Sequence, residues 1–96
     1  AMVMVEATAI TADGRITPGD VGLWEDAQIG SHARLASAIA HAGAVPAIQI
    51  GHAGRKASRK EAWFDAPAEP GWQIVSSCDL PMGKFAAPRP LTDDEV

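Results

Sequence analysis

The stretch Val45-Pro-Ala-Ile-Gln-Ile-Gly-His-Ala-Gly-Arg-Lys56 carries the reading of the whole chain. Val45 to Ile50 has the length and branching of a buried strand. Pro46 has no N–H to donate, so it belongs among the strand's first residues. Gln49 interrupts the apolar run near its end. A buried amide there needs partners, because an unpaired polar group in a core costs roughly 1–3 kcal/mol. Gly51 and Gly54 then let the backbone turn or approach another group closely, and His52, Arg55 and Lys56 add donors around the turn. Two readings follow. Gln49 is bonded to neighbouring backbone at a plain strand end, or the strand carries ligand-binding groups at its C-terminal end, where open sheets and barrels place their sites.

Working outward, Met2 to Ala9 is the second strand. Its run Met-Val-Met-Val is apolar without alternation, as in parallel sheets covered on both faces, and Glu6 falls near its polar end. Residues 10–24 form a long connection, with turn signals at Asp13-Gly14 and Thr17-Pro-Gly-Asp20. A helix follows from about Glu25 or Asp26 to Ala42, started by acidic residues and stopped by Gly43. Ile29, Ala33, Ala36, Ile39 and Ala40 give it one apolar face, widened by Leu35 and Ala42. Residues 1–56 are therefore one βαβ unit. Residues 57–96 are a long ordered excursion with a short hairpin expected around Trp72 to Leu80, ending in the start of another helix. Thr92 is its cap, and Asp93, Asp94 and Glu95 fill its first turn. Trp63 and Trp72 are read as packing anchors.

The composition bounds the rest. The chain has 96 residues, 47% of them hydrophobic, and a net charge of −4. That excludes a disordered segment and gives no general affinity for nucleic acid. No run approaches the roughly 18–20 apolar residues of a membrane span, so neither membrane nor nucleic acid is an expected partner. The single cysteine, Cys78, has no basic neighbour and is read as inert. It suits a reducing compartment, and the cytoplasm is the expected location. His32 and His41 stand about 900° apart around a helix and His52 lies on another element, so no metal site is expected. There is no phosphate loop, no dinucleotide fingerprint and no serine–histidine–acid set in a known context. Arg55, Lys56, Arg59 and Lys60 make a basic patch that is either a solvated loop or an anion or cofactor contact. Two parallel strands and one helix leave a sheet unfinished, so a completed barrel or further segments are required.

The residues resemble the Old Yellow Enzyme family of FMN-dependent ene-reductases, in its bacterial thermophilic-like subgroup. Val5-Glu-Ala-Thr-Ala9 resembles the second barrel strand, and Asp13-Gly-Arg-Ile-Thr17 with Gly22-Leu-Trp24 resembles the loop behind it. Ile48-Gln-Ile-Gly-His-Ala-Gly-Arg-Lys-Ala57 resembles the third strand and its loop, and is the most specific piece. Pro90-Leu-Thr92 resembles the approach to the next helix. Gly51 departs from the family's usual alanine, and Val75-Ser-Ser-Cys78 from a segment that often reads Ala-Pro-Ser. The resemblance implies an α/β fold: a piece of a (β/α)8 TIM barrel comprising about strands 2 and 3, the helix between them and a long loop. Residues 1–96 are then a partial FMN-binding domain. The implied cofactor is FMN, the reductant NAD(P)H, and the substrate a small alkene conjugated to a carbonyl or nitro group. Gln49 matches the glutamine that bonds the flavin pyrimidine edge, Ala7 an alanine near the flavin ring, and Ile16 a position on the wall of the substrate pocket. No catalytic residue is assigned within the chain, and His52, Arg55 and Lys56 are given no chemical step. The remaining barrel segments are required partners, a homo-oligomer is compatible, and the 96 residues alone are expected to be inactive. The competing readings are another TIM-barrel enzyme with a phosphate-bearing substrate near Arg55 and Lys56, and a non-catalytic truncated piece.

Overall fold

The computed structural model describes residues 1–96 and contains the βαβ unit. Strand β1 spans Met2–Ala9, helix α1 spans Ile29–His41, and strand β2 spans Val45–Gly51. β1 and β2 are parallel neighbours, in register from Met2 opposite Val45 to Val5 opposite Ile48. The register then shifts, and the ladder resumes with Thr8 opposite Ile50 and Ala9 opposite Gly51.

The helix forms where its signals lie. A 3-10 turn over Asp26–Gln28 leads into it. The Gln28 side-chain carbonyl accepts from the Trp24 and Glu25 N–H groups at 2.7 and 3.2 Å, satisfying donors that the first turn cannot pair. At the other end Gly43 has φ +81°, its N–H donates to the Ala40 carbonyl, and the Ala44 N–H reaches back to that of Ile39. This is the Schellman arrangement, and glycine is the residue that adopts it without a Cβ penalty. The reversal is tight enough for β2 to begin at Val45.

The expected burial of the strands and helix is not achieved within this chain. Met2 is 60% exposed, Val45 62% and Ile29 53%, and only Ile39 of α1 is buried. The chain exposes 6508 Å², against roughly 5,200 Å² for a compact protein of this mass. Its radius of gyration is 15.4 Å, against roughly 12.5 Å. Neighbouring strands and helices are what would cover these faces. No helix of the chain is long and apolar enough to cross a membrane.

The excursion is ordered but contains no hairpin. Val75–Ser76 (β3) pairs with Arg89–Pro90 (β4) in parallel, not with a strand near Leu80. The carbonyls of Ile74 and Ser76 accept instead from the Arg89 and Leu91 N–H groups, so the segment's ladder is spent on a distant strand. Ser58 sits at φ +60°. Its carbonyl accepts from the Ala68 N–H and its Oγ from the Trp72 N–H at 2.9 Å, bonds that hold the unusual backbone in place. Trp72 anchors the excursion as expected: its indole Nε1–H donates to the Asp13 carbonyl at 2.8 Å. Trp63 is 81% exposed and anchors nothing within the chain. A 3-10 turn over Asp93–Glu95 follows Thr92, whose N–H and Oγ1 both donate to the Glu95 carboxylate.

Candidate functional site

A cleft of about 190 Å³ opens at the C-terminal ends of β1 and β2. Ala7, Thr8 and Ala9 line it from one strand, Gln49, Ile50 and Gly51 from the other, and Gly14, Ile16 and Asp20 from the loop. The three positions singled out in the sequence, Ala7, Ile16 and Gln49, thus meet around one space. Gln49 is exposed within the chain, and its side chain makes no hydrogen bond to any backbone or side-chain group of it. The reading of Gln49 as a buried amide tied to adjacent backbone is therefore corrected. Its donor and acceptor are both free toward the cleft.

The ladder shift falls at this site. With Val5 opposite Ile48 and Thr8 opposite Ile50, Glu6 and Ala7 together oppose Gln49. One extra residue on one strand is a β-bulge, a device that re-aims side chains near sites.

The loop wall is built by local bonds. The Asp20 carboxylate accepts from the Ile16 N–H at 2.7 Å and from the N–H and Oγ1 of Thr17 at 3.1 and 2.6 Å. The Ile16 carbonyl accepts from the Arg59 N–H at 2.8 Å, which ties the wall to the excursion. The Arg15 guanidinium lies between two indoles, 5.3 Å from the Trp24 ring and 5.1 Å from the Trp72 ring. The base of the loop rests on the turn after β2. The Ala53 N–H donates to the Gly14 carbonyl at 2.8 Å, and a Cβ on Gly14 would stand 2.7 Å from the His52 ring. His52 Nδ1 accepts from the Gly54 N–H at 3.0 Å, so its proton sits on Nε2, 3.8 Å from the Asp13 carboxylate.

The other titratable groups lie off the cleft. His32 Nε2 meets the Gly22 carbonyl at 2.9 Å and His41 Nδ1 that of Ser37 at 2.8 Å. The basic patch divides. Arg55 and Lys56 are exposed, whereas the Arg59 guanidinium lies 3.4 Å from the centre of the Phe85 ring, with Nε and Nη2 lacking hydrogen-bond partners. A more polar groove beside His52 is lined by Thr11, Ser76, Arg89 and Glu95. There Arg89 makes a two-pronged pair with Glu95 at 2.8 and 2.7 Å. That pair, with the donors of Thr92, holds the Glu95 carboxyl down at about 2.

Sequence reasoning passed over Thr8 and the seating of Gly14 on His52, and read Asp20 only as part of a turn signal. Thr8 resembles any β-branched strand residue, and a bulge has no fixed sequence mark. Asp20 was legible, since an acid three residues after Thr17 in a Pro-Gly turn is a common acceptor for loop N–H groups.

Comparisons with known proteins bear on the family and the fold. Residues 1–95 match the sequence model of the NADH:flavin oxidoreductase / NADH oxidase family. The chain is 45% identical over 96 residues to an NADPH dehydrogenase of a Geobacillus species, covering 99% of this chain and 25% of that protein. It is 49% identical over 102 aligned positions to an NADH:flavin oxidoreductase of Gibberella zeae, covering 97% and 25%. An NADPH dehydrogenase of Halalkalibacterium halodurans is 35% identical over 95 residues, again at 99% and 25%. The chain spans a quarter or less of the length of the first relatives it matches. Among solved structures, morphinone reductase superposes with a TM-score of 0.76 at 22% identity, over 98% of this chain and 28% of that one. That likeness supplies the frame in which two parallel strands and one helix are a part of a (β/α)8 barrel. With a family match running from residue 1 to residue 95, the chain belongs to the NADH:flavin oxidoreductase / NADH oxidase family.

Proposed function

We propose that the complete barrel carrying this chain is an FMN-dependent NAD(P)H oxidoreductase that reduces the C=C bond of activated alkenes such as enones and nitroalkenes. FMN is the cofactor of the family and NAD(P)H its reductant. When bound, FMN would supply the redox chemistry, carrying the hydride equivalent of NAD(P)H, and saturation of the C=C bond consumes that hydride together with one proton. Residues of this chain hold one edge of that site. The observation that carries the reading is the cleft in which Ala7, Ile16 and an unbonded Gln49 meet at the C-terminal ends of parallel strands. This is where barrel enzymes assemble their sites.

The residues fit the group. A flavin pyrimidine edge alternates N–H and C=O, and the Gln49 amide has a free donor and a free acceptor to match it. Ala7 lets a planar ring approach the strand closely, and Ile16 is an apolar wall on the loop side. Cleft size agrees with a shared site: about 190 Å³ is below the roughly 300–1,000 Å³ of a complete small-molecule pocket. The chain therefore contributes a wall, with the rest of the pocket coming from other barrel segments.

The test is an FMN titration of the complete apoprotein, wild type and Gln49→Leu, with circular dichroism to confirm folding. Leucine keeps the approximate volume and removes both hydrogen-bonding groups. FMN affinity is expected to fall by roughly 5- to 150-fold, the equivalent of about 1–3 kcal/mol. NADPH-dependent reduction of cyclohexenone by the wild type completes the test. Equal dissociation constants would remove Gln49 from the flavin site, and a complete barrel that binds no FMN would overturn the functional reading.

A further inference from the structure

We propose that Thr8 is a positioning residue: its hydroxyl closes the β-bulge that sets Ala7 and Gln49 at the cleft. The proposal deepens the flavin-site reading and rests on it. A regular continuation of the ladder from Val5 opposite Ile48 would set Glu6 opposite Gln49 and Ala7 opposite Ile50. Thr8 instead takes the place opposite Ile50, so the extra residue is accommodated between Val5 and Thr8. Such a residue interrupts the ladder, leaving backbone groups in need of other partners.

Thr8 answers that need. Its Oγ1–H donates to the Glu6 carbonyl at 2.9 Å, across the bulge and within its own strand. At 1% exposure it is the most buried side chain of the chain, in a strand whose apolar residues are otherwise largely open. A hydroxyl buried so deeply and bonded only two residues back makes no link between elements. What it does is hold the local backbone of Glu6, Ala7 and Thr8. The strand is pinned again just beyond, where the Ala9 N–H donates to the Val21 carbonyl and the Ala9 carbonyl accepts from the Leu23 N–H. The bulge is thus clamped on one side by Thr8 and on the other by the returning loop. A one-residue slip in a strand turns side chains to the opposite face. Losing the clamp would therefore move Ala7 relative to Gln49 without removing either residue.

Three substitutions in the complete barrel separate the hydroxyl from the methyl group. Thr8→Ser keeps the hydroxyl, Thr8→Val keeps the volume, and Thr8→Ala keeps neither. FMN dissociation constants of the apoproteins and the visible circular dichroism of bound flavin are the readouts, beside the melting temperature of each apoprotein. Affinity is expected to follow the hydroxyl. Thr8→Ser should stay within about threefold of the wild type, while Thr8→Val and Thr8→Ala lose roughly 5- to 100-fold, with altered flavin dichroism. If affinity instead follows volume, with Thr8→Val like the wild type and Thr8→Ser like Thr8→Ala, the proposal is overturned. So is it if all three folded variants bind FMN as the wild type does. Should Thr8→Val fail to fold, Thr8→Ser against Thr8→Ala decides by the same criterion. A wild-type barrel that binds no FMN would defeat the flavin reading alone. The bulge is then tested in the apoproteins by nuclear Overhauser contacts across the strands. Glu6 and Ala7 should both face Gln49 in the wild type and in Thr8→Ser, and a wild-type register in Thr8→Ala would overturn the clamp.

Discussion

Gly22 shows how much a missing Cβ can settle. The Trp24 ring occupies the space in which a Gly22 side chain would begin, and the Gly22 carbonyl accepts from His32 on α1. Any Cβ there collides with a large, half-buried ring and displaces it. Gly22→Ala is expected to destabilise the complete barrel by about 1–3 kcal/mol, the usual cost of forcing atoms into a packed site. Urea unfolding followed by tryptophan fluorescence measures it, and an unchanged midpoint would show that Trp24 can leave its place freely. Trp72 is a milder case. Trp72→Phe keeps an aromatic ring beside Arg15 but loses the bond from Nε1 to the Asp13 carbonyl. The expected loss is about 0.5–1.5 kcal/mol, read by the same unfolding experiment.

Among the elements, the loop of residues 10–24 is held against the turn after β2 by contacts that couple. Gly14 touches the His52 ring, and His52 faces Asp13. Gly14→Ala should destabilise the protein more when His52 is present than in a His52→Ala background, where the contact with the ring is gone and only that with Thr11 Oγ1, at 2.8 Å, remains. A coupling of about 0.5–3 kcal/mol is expected from such contacting residues. Additive effects would mean that loop and turn do not bear on each other. The 3-10 turn of Asp93–Glu95 carries a pH dependence. The Glu95 carboxyl is held at about 2, first by the Arg89 guanidinium and then by the Thr92 donors. A lowered folded value means that the pairing stabilises the fold above the ordinary carboxylate range and is lost as pH falls through about 2. Carbon-detected NMR titration should find the Glu95 side chain still charged at pH 3.5. Titration near 4.5, the ordinary value, would contradict the pairing with Arg89.

The assembled chain has the topology of a larger object and the surface of an unfinished one. Only nine of its residues are buried, and both long strands present apolar side chains to solvent. Residues 1–96 expressed alone are therefore expected to bind hydrophobic dyes, to self-associate, and to give no NADPH-dependent enone reduction above that of free FMN. Turnover clearly above the free flavin would contradict the claim that other barrel segments complete the pocket.

The lines of the fold were legible in the amino-acid order. Acidic residues and Gly43 mark the helix limits, because capping and glycine geometry act over a few residues, and Gln49 stands out in the order itself as a polar interruption near the end of an apolar strand. The motif around His52 and Gly54 pointed to the family for the same reason: its residues are adjacent in sequence. What three-dimensional folding alone settled are relations between distant segments and small changes of register. Parallel pairing of Val75 with Arg89, the burial of Thr8 beneath a bulge, the seating of Gly14 on His52 and the stacking of Arg59 on Phe85 each arise from packing between segments. Local propensity does not encode them, because their energy comes from neighbours that the order of residues brings together only after the chain has folded.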